Sequence, residues 1–449
     1  MIISCRNRKL DFTIDAPPSK SIYHRELIIR FLSGDYAHLA PLDSDNEDVR
    51  ATKAVLTALR DCGARDASGI SDSVTLPCNE SGSTLRFMIP VAAAYILGLG
   101  RDSHGVNKLI FTTAGRLFDR PLDELRDAMA PHGISIEKDD ATRTIIVTGE
   151  MTPGTYTIDG SVSSQYISGL LMALTLFTED SHVEVTGELK SIHYIELTTD
   201  ALLKYGYPVR MEGAAFYPTC CGYSIASADS SNAAHSSFAD IPFKVEGDWS
   251  NGAFLLCMKE WSDITVTNLN PASRQGDRAI LDYLDAIHKA GSPQVTGSAD
   301  VSGTSGLDSS LTWDCTDIPD ITPYMAVVAA FALDKAVFTG ISRLRIKESD
   351  RVKAVREQLA SIGVKTEETE DTLTIYSYSR SGKAGNKIDS LYAQNAEPIK
   401  LSSYNDHRMA MCAILIAVIL KTDIELDNLD CLRKSFPELI DIVHEHLLP

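Results

Sequence analysis

Six stretches of this chain begin with polar residues and then turn almost wholly apolar, and they constrain its folding more than any other feature. They run over 19–32, 81–97, 163–177, 250–261, 320–333 and 405–420. A helix that is apolar around its whole circumference is stable only when other elements cover every side. Each stretch starts with Ser, Asp or Asn, whose side-chain oxygens cap the free N–H groups of a helix N-terminus. The expectation is six central helices, each with a polar start and a buried body. The longest apolar runs, 87–99 and 409–420, fall short of the ~20 residues that span a bilayer.

A second helix type alternates with these. Gly63, Gly133, Gly206, Gly291 and Gly363 each follow an apolar residue by four positions: Leu59, Met129, Leu202, Ile287 and Leu359. Eight positions before the glycines stand Val55, Leu125, Thr198, Tyr283 and Val355, mostly apolar again. That spacing lays one stripe along one helical face, and Gly closes the helix in the left-handed conformation that other residues avoid. Strand-like runs follow, such as 144–147 and 372–376. The alternation predicts about six copies of one βαβαββ-like unit, with a period of roughly 70 residues, too long for a common solenoid. Compact lobes are therefore expected. At 449 residues the chain also exceeds one ordinary core, so two domains are the expectation, in an α/β (α+β) fold. Ala16-Pro17-Pro18 separates the first strand from the first buried helix, and Val245-Glu246-Gly247-Asp248 reads as a junction. Residues 224–240 and 292–310 read as loops.

Acidic residues outnumber basic ones, 61 to 42, for a net charge of −19. That field repels nucleic acid and anionic membranes. Nine cysteines show no CxxC pair, and the adjacent Cys220 and Cys221 are not spaced as metal ligands. The opening, 1–10, has no apolar run of the kind an export leader needs, so a reduced, cytoplasmic protein is expected.

Against this acidic background, cations gather where helices start. Lys20 and Arg25 lie at the start of the first buried helix and Arg86 at the start of the second. Arg120 precedes Pro121, Lys347 and Arg351 bracket Lys-Glu-Ser-Asp-Arg, Arg408 is expected one turn inside the last buried helix, and Lys434 follows it. A helix N-terminus offers free N–H groups and about half a positive charge; with Ser hydroxyls and a guanidinium or ammonium added, it suits phosphate or carboxylate. A surface carboxylate would account for any one of these cations equally well. For Lys20, Arg86 and Arg408 an anionic ligand is the better account, because an unpaired charge at the start of a buried helix is costly. No nucleotide loop of the GxxxxGK[ST] or GxGxxG type is present. His24 and His407 lack metal-ligand spacing, and His407 alone reads as a structural histidine. No metal or cofactor is expected.

In series, the motifs are Ser-Lys-Ser…Arg at 19–25, Glu-Ser-Gly-Ser-Thr-Leu-Arg at 80–86, Asp-Arg-Pro-Leu at 119–122 and Ser-Ser-Gln at 163–165. They continue with Ile-Pro-Asp at 318–320, Lys-Glu-Ser-Asp-Arg at 347–351, Tyr-Asn-Asp-His-Arg-Met-Ala-Met at 404–411 and Arg-Lys-Ser-Phe-Pro at 433–437. Together they resemble the 5-enolpyruvylshikimate-3-phosphate synthase family, the 3-phosphoshikimate 1-carboxyvinyltransferases, over nearly the whole chain. The resemblance implies an enolpyruvyl transferase-like fold of two similar lobes, each of three βαβαββ units: residues 1–18 with 247–449, and 19–246. The lobes would close over substrates bound in the cleft. It also implies transfer of the enolpyruvyl group of phosphoenolpyruvate to the 5-hydroxyl of 3-phosphoshikimate, releasing phosphate, in the shikimate pathway to aromatic amino acids. A monomer acting on small anions, without a cofactor, is expected.

Carried over by resemblance, Lys20, Ser21, Arg25, Ser163, Ser164, Gln165, Ser191, Tyr194, Asp320 and Lys347 are the expected 3-phosphoshikimate contacts. Lys20, Gly82, Arg120, Gln165, Arg351, Arg408 and Lys434 are the expected phosphoenolpyruvate contacts. Asp320, Glu348 and Lys20 are the expected catalytic residues. The reaction adds a hydroxyl to C2 while C3 gains a proton, then expels phosphate as C3 loses one. Asp320, as the cap of a buried helix, would take the hydroxyl proton and Glu348 would serve C3. The cations flanking Glu348 lower its pKa, which argues against it as the acid and keeps Lys20 or Lys434 as alternatives. Three departures from the family pattern stand out: Glu80 beside the small-Gly pair, Arg343 where many relatives have Asn, and Trp249-Ser250-Asn251. The nearest rival is the related transferase acting on UDP-N-acetylglucosamine. It begins Lys-Asn and usually carries a reactive Cys before its Arg-Pro pair, whereas the loop 112–119 has none. A catalytically silent anion-binding protein is the other; the intact Asp320, Glu348, Lys20 and Lys434 weigh against it.

Overall fold

The computed structural model describes residues 1–63, 72–98, 105–189, 191–220, 241–290, 309–378 and 397–448. Gly291, Cys221, the expected loop at 224–240 and residues 292–308 of the expected loop 292–310 lie outside them, and Ser310 opens a strand rather than closing that loop. All ten positions of the glycine-offset stripes are buried: Val55, Leu59, Leu125, Met129, Thr198, Leu202, Tyr283, Ile287, Val355 and Leu359. Gly133, Gly206 and Gly363 have φ of +83°, +83° and +89°. A side chain there would meet the steric penalty of left-handed backbone, so Gly ends these helices.

The βαβαββ unit appears in full three times among the described residues. Strand Ser73–Pro77 pairs in parallel with Lys108–Thr112, the two joined through helix Gly82–Ile96. Helix Asp123–Met129 then leads to the antiparallel pair Ile134–Asp139 and Thr144–Gly149, of which the second joins the sheet. The same order recurs in the sheet of Thr155–Asp159, His182–Thr186, Val209–Glu212 and Ala215–Pro218. It recurs again in that of Ser310–Asp314, Lys335–Thr339, Thr366–Glu368 and Thr372–Tyr376. Smaller sheets pair Thr13–Asp15 with Thr265–Thr267, and set Asp423–Leu426 between Ile2–Ser4 and Ile399–Leu401. The parallel pairs need a helical crossover, and the buried helices supply it.

The chain divides into two compact units, Ser19–Val245 and Met1–Pro18 with Glu246–Pro449, each with its own hydrophobic core. The six apolar helices are Lys20–Leu32, Gly82–Ile96, Ser164–Leu174, Trp249–Lys259, Thr322–Ala332 and His407–Leu420. In Gly82–Ile96 only Ser83 and Arg86 escape burial, in Ser164–Leu174 only Gln165, and in His407–Leu420 only Ile419. Each fully buried Leu or Ile contributes about 1.5–3 kcal/mol, so the helix bodies anchor the units. What they leave uncovered in the first two is the polar start.

Three of the expected helix starts are corrected. Trp249–Lys259 is capped by Asp248, not Ser250, and His407–Leu420 by Asp406, not Asn405. Both caps are carboxylates, which favour the positive N-terminal end beyond their hydrogen bond. Thr322–Ala332 has Ile321 at its cap with no side-chain bond; Asp320 is drawn into ion pairs instead. Arg408 is the second residue of its helix rather than one turn inside it.

Candidate active site

In the unit Ser19–Val245 the helix starts supply a set of cations and hydroxyls. Lys20 opens its helix and donates to Asp48 Oδ2 at 2.9 Å. One turn on, Arg25 is buried, and its guanidinium touches only neutral oxygens. Nε donates to Thr198 Oγ1 at 2.7 Å, Nη2 to the Tyr194 carbonyl at 2.7 Å and Ser168 Oγ at 3.3 Å, and Nη1 to the Ser21 carbonyl. The Phe87 ring lies 4.9 Å from its centre. Burial pushes the Arg25 guanidinium down to about 9 from an ordinary 12.5. Among the described residues no carboxylate is bonded to it, an arrangement suited to receiving an anion.

Ser81 caps Gly82–Ile96 by accepting from Thr84 N. Just inside the helix, Arg86 Nη1 donates to Gln165 Oε1 at 2.9 Å, and Gln165 Nε2 donates to Ser83 Oγ at 2.8 Å. These two bonds fix which way the Gln165 amide faces. Ser163 caps the next helix through Gln165 N at 3.3 Å. A Cβ added to Gly82 would collide with the Arg120 guanidinium, so Arg120 lies directly on that helix start. Ser191 is buried at a helix start with φ of +56°, a conformation that costs a non-glycine residue about 1–2 kcal/mol. Tyr194 meets Arg25 through its carbonyl. Glu80 packs against Gly115.

In the other unit the cations are caged. Arg351 is buried; its Nη1 donates to Asp320 Oδ1 at 2.7 Å and its Nε to Asp406 Oδ2 at 2.9 Å, and Nη2 stands 4.0 Å from Glu348 Oε1. Lys347 Nζ lies 3.4 Å from the same Asp320 oxygen. Asp406 also accepts from Ser349 Oγ and from Arg408 N, each at 2.9 Å. Glu348 Oε2 faces His407 Nδ1 at 3.0 Å and Lys434 Nζ at 3.5 Å. Burial alone would raise Glu348, but His407, Lys434 and Arg351 outweigh it and hold the carboxyl well below the usual range. An ionised Glu348 only accepts, so Nδ1 of His407 carries the proton, and Nε2 is buried without a partner. Arg408 Nη1 donates to the Ser250 carbonyl at 2.9 Å, Tyr324 Oη at 3.0 Å and Asn251 Oδ1 at 3.4 Å; its Nε has no partner. Glu348, Asp406 and His407 bring ligand atoms within 4.8 Å of one another, but Arg351 and Lys434 already occupy the ground a cation would take. Arg343 lies in the short turn Ser342–Ile346 that precedes Lys347.

Several residues that build these sites were not singled out in the sequence. Thr198 stood in a helix stripe as its one polar member, and that exception marks it: a hydroxyl in a buried stripe needs a partner, here Arg25 and Ser168. Asp406 stood one position past Asn405, where the helix start was expected, and so was not read as the cap. Asp48 had no distinctive signal.

The fold is that of the enolpyruvyl transferases. The chain is similar to an EPSP synthase from Acinetobacter baumannii with a TM-score of 0.64 at 19% identity, covering 100% of this chain and 98% of that one. It is also similar to the enolpyruvyl transferase NikO from Streptomyces tendae, with a TM-score of 0.59 at 13% identity and 100% and 99% coverage. In sequence, the 3-phosphoshikimate 1-carboxyvinyltransferase of Clostridium kluyveri is 30% identical over 446 residues, 97% of this chain and 95% of that protein. That of Clostridioides difficile is 29% identical over 450 residues, 96% and 93%. The pattern of the EPSP synthase (3-phosphoshikimate 1-carboxyvinyltransferase) family matches residues 6–443, and the chain belongs to that family.

Proposed function

We propose that this chain transfers the enolpyruvyl group of phosphoenolpyruvate to the 5-hydroxyl of 3-phosphoshikimate with release of phosphate, a step of the shikimate pathway to aromatic amino acids. The observation that carries the mechanism is that one buried guanidinium, Arg351, orders two carboxylates, Asp320 and Glu348, and the reaction needs two proton transfers. Arg25, Lys20, Ser21, Ser163, Ser164, Gln165, Ser191, Tyr194, Asp320 and Lys347 hold 3-phosphoshikimate. Lys20, Gly82, Arg120, Gln165, Arg351, Arg408 and Lys434 hold phosphoenolpyruvate, whose carboxylate and phosphate call for several cations. Residues 1–18 with 247–449 and residues 19–246 are the two lobes.

Asp320, bonded to Arg351 and Lys347, takes the proton of the attacking hydroxyl. Glu348 rests as a carboxylate 3.5 Å from Lys434 Nζ, so the proton for C3 sits on the ammonium of this pair rather than on the carboxyl. The pair then takes a C3 proton back as phosphate leaves. The protein works as a cytoplasmic monomer on small anions rather than on nucleic acid or membranes. In support, its net charge is −19, its eight described cysteines are free, and no described helix is long and apolar enough to cross a membrane.

Purified protein should release phosphate only when both phosphoenolpyruvate and 3-phosphoshikimate are present. Turnover with UDP-N-acetylglucosamine in place of 3-phosphoshikimate would reassign it to the rival. Lys20→Met and Asp320→Ala should fold normally and lose most activity; near wild-type rates in either would show that the site is misplaced.

A further inference from the structure

One buried acid in the unit of residues 246–449 has no part in the roles above. Asp277 lies in the short turn Gly276–Ala279 and is 3% exposed. Its Oδ2 accepts the hydroxyl of Ser250, while its Oδ1 is buried with no hydrogen-bond partner. Asp406, equally buried, has both oxygens occupied by Arg351, Ser349 and the Arg408 amide. A carboxylate that has lost water and gained a single hydroxyl donor is poorly compensated, and a neutral carboxylic acid in the same place costs far less. Ser250 is held at both ends: its hydroxyl by Asp277, its carbonyl by Arg408 Nη1 at 2.9 Å.

We propose that Asp277 is a positioning residue for Arg408: as a neutral carboxylic acid it fixes Ser250, whose carbonyl seats the guanidinium, and it leaves the charge of Arg408 to the anionic substrate. This rests on the reading that Arg408 binds phosphoenolpyruvate. The charged groups that face Asp277 are Asp320, Arg408 and Asp248. Burial, then repulsion from Asp320, pushes its carboxyl up to about 7, against the pull of Ser250 and Arg408. Above that pH the acid ionises, offsets Arg408 and weakens the hold on phosphoenolpyruvate.

The test is the KM for phosphoenolpyruvate at saturating 3-phosphoshikimate, from about pH 6.5 to 8.5, with ionisation of the substrate cancelled by taking the ratio of wild type to Asp277→Asn. The wild-type KM should rise about tenfold through ionisation of Asp277, the effect of about one pKa unit of interaction. Asp277→Asn, which still accepts from Ser250 but cannot ionise, should lack that rise. Asp277→Leu, which cannot accept, should raise KM about tenfold throughout while the KM for 3-phosphoshikimate stays unchanged. The infrared spectrum of the wild type should carry a protonated-carboxyl band that titrates in this range and is missing from Asp277→Asn. An Asn variant with the wild-type pH slope, or no such band, overturns the inference, and neither result depends on the Leu variant folding. Arg408→Gln measured alongside separates the two layers. An unchanged KM for phosphoenolpyruvate there removes the reading of Arg408 and this inference with it. A raised KM there, together with a wild-type slope in Asp277→Asn, overturns the inference alone.

Discussion

Arg25 and Arg351 are both buried guanidiniums near the start of a helix, yet their surroundings are opposite. Arg25 is held by hydroxyls and carbonyls; Arg351 by Asp320, Asp406 and Glu348. The first therefore loses basicity through burial, whereas the second is raised well above its ordinary value because its carboxylates outweigh burial. The difference teaches what each can do. A cation among neutral oxygens is a receptor for an anion that has yet to arrive. A cation among carboxylates is a frame, and the useful groups are the acids it orders.

The largest effect should come from breaking the frame. Arg351→Gln removes the guanidinium shared by Asp320, Asp406 and Glu348, of which Asp406 is fully buried, and should cost about 3–5 kcal/mol in urea unfolding as well as nearly all activity. Arg25→Met should be the reverse. Stability should stay within about 1 kcal/mol of wild type, because the lost bonds are offset by removal of a desolvated charge. The KM for 3-phosphoshikimate should rise about 100-fold, or ~2.7 kcal/mol. If both variants unfold alike, the contrast fails. The smallest change is Thr198→Val, which removes one acceptor from Arg25 and should raise the same KM a few-fold, about 1 kcal/mol.

Much of this was legible in the sequence because two signals are local. Gly133, Gly206 and Gly363 mark a backbone conformation that other side chains resist, and the apolar residues four and eight positions earlier mark a face; both survive into the structure. The cations at helix starts were equally plain. Their partners were not. Whether a buried Arg meets hydroxyls or carboxylates depends on residues brought from distant segments, as Thr198 is to Arg25 and Asp406 to Arg351. Asp320 illustrates the limit. An Asp before an apolar run reads as a cap, but an ion pair with Arg351 outcompetes the helix for its oxygens. Glu348 was the opposite case, since the cations adjacent in sequence, Lys347 and Arg351, already argued that it is ionised.

The contact between Gly82 and Arg120 has a consequence for which molecules the site can admit. The helix backbone there is fixed by burial, so it cannot retreat, whereas the guanidinium facing it belongs to a long side chain from a different segment. On the proposal that Gly82 and Arg120 hold phosphoenolpyruvate, tolerance toward its bulkier analogues depends on how far the Arg120 guanidinium can swing. Changes in the turn that carries Arg120 should alter selectivity without touching the helix at all.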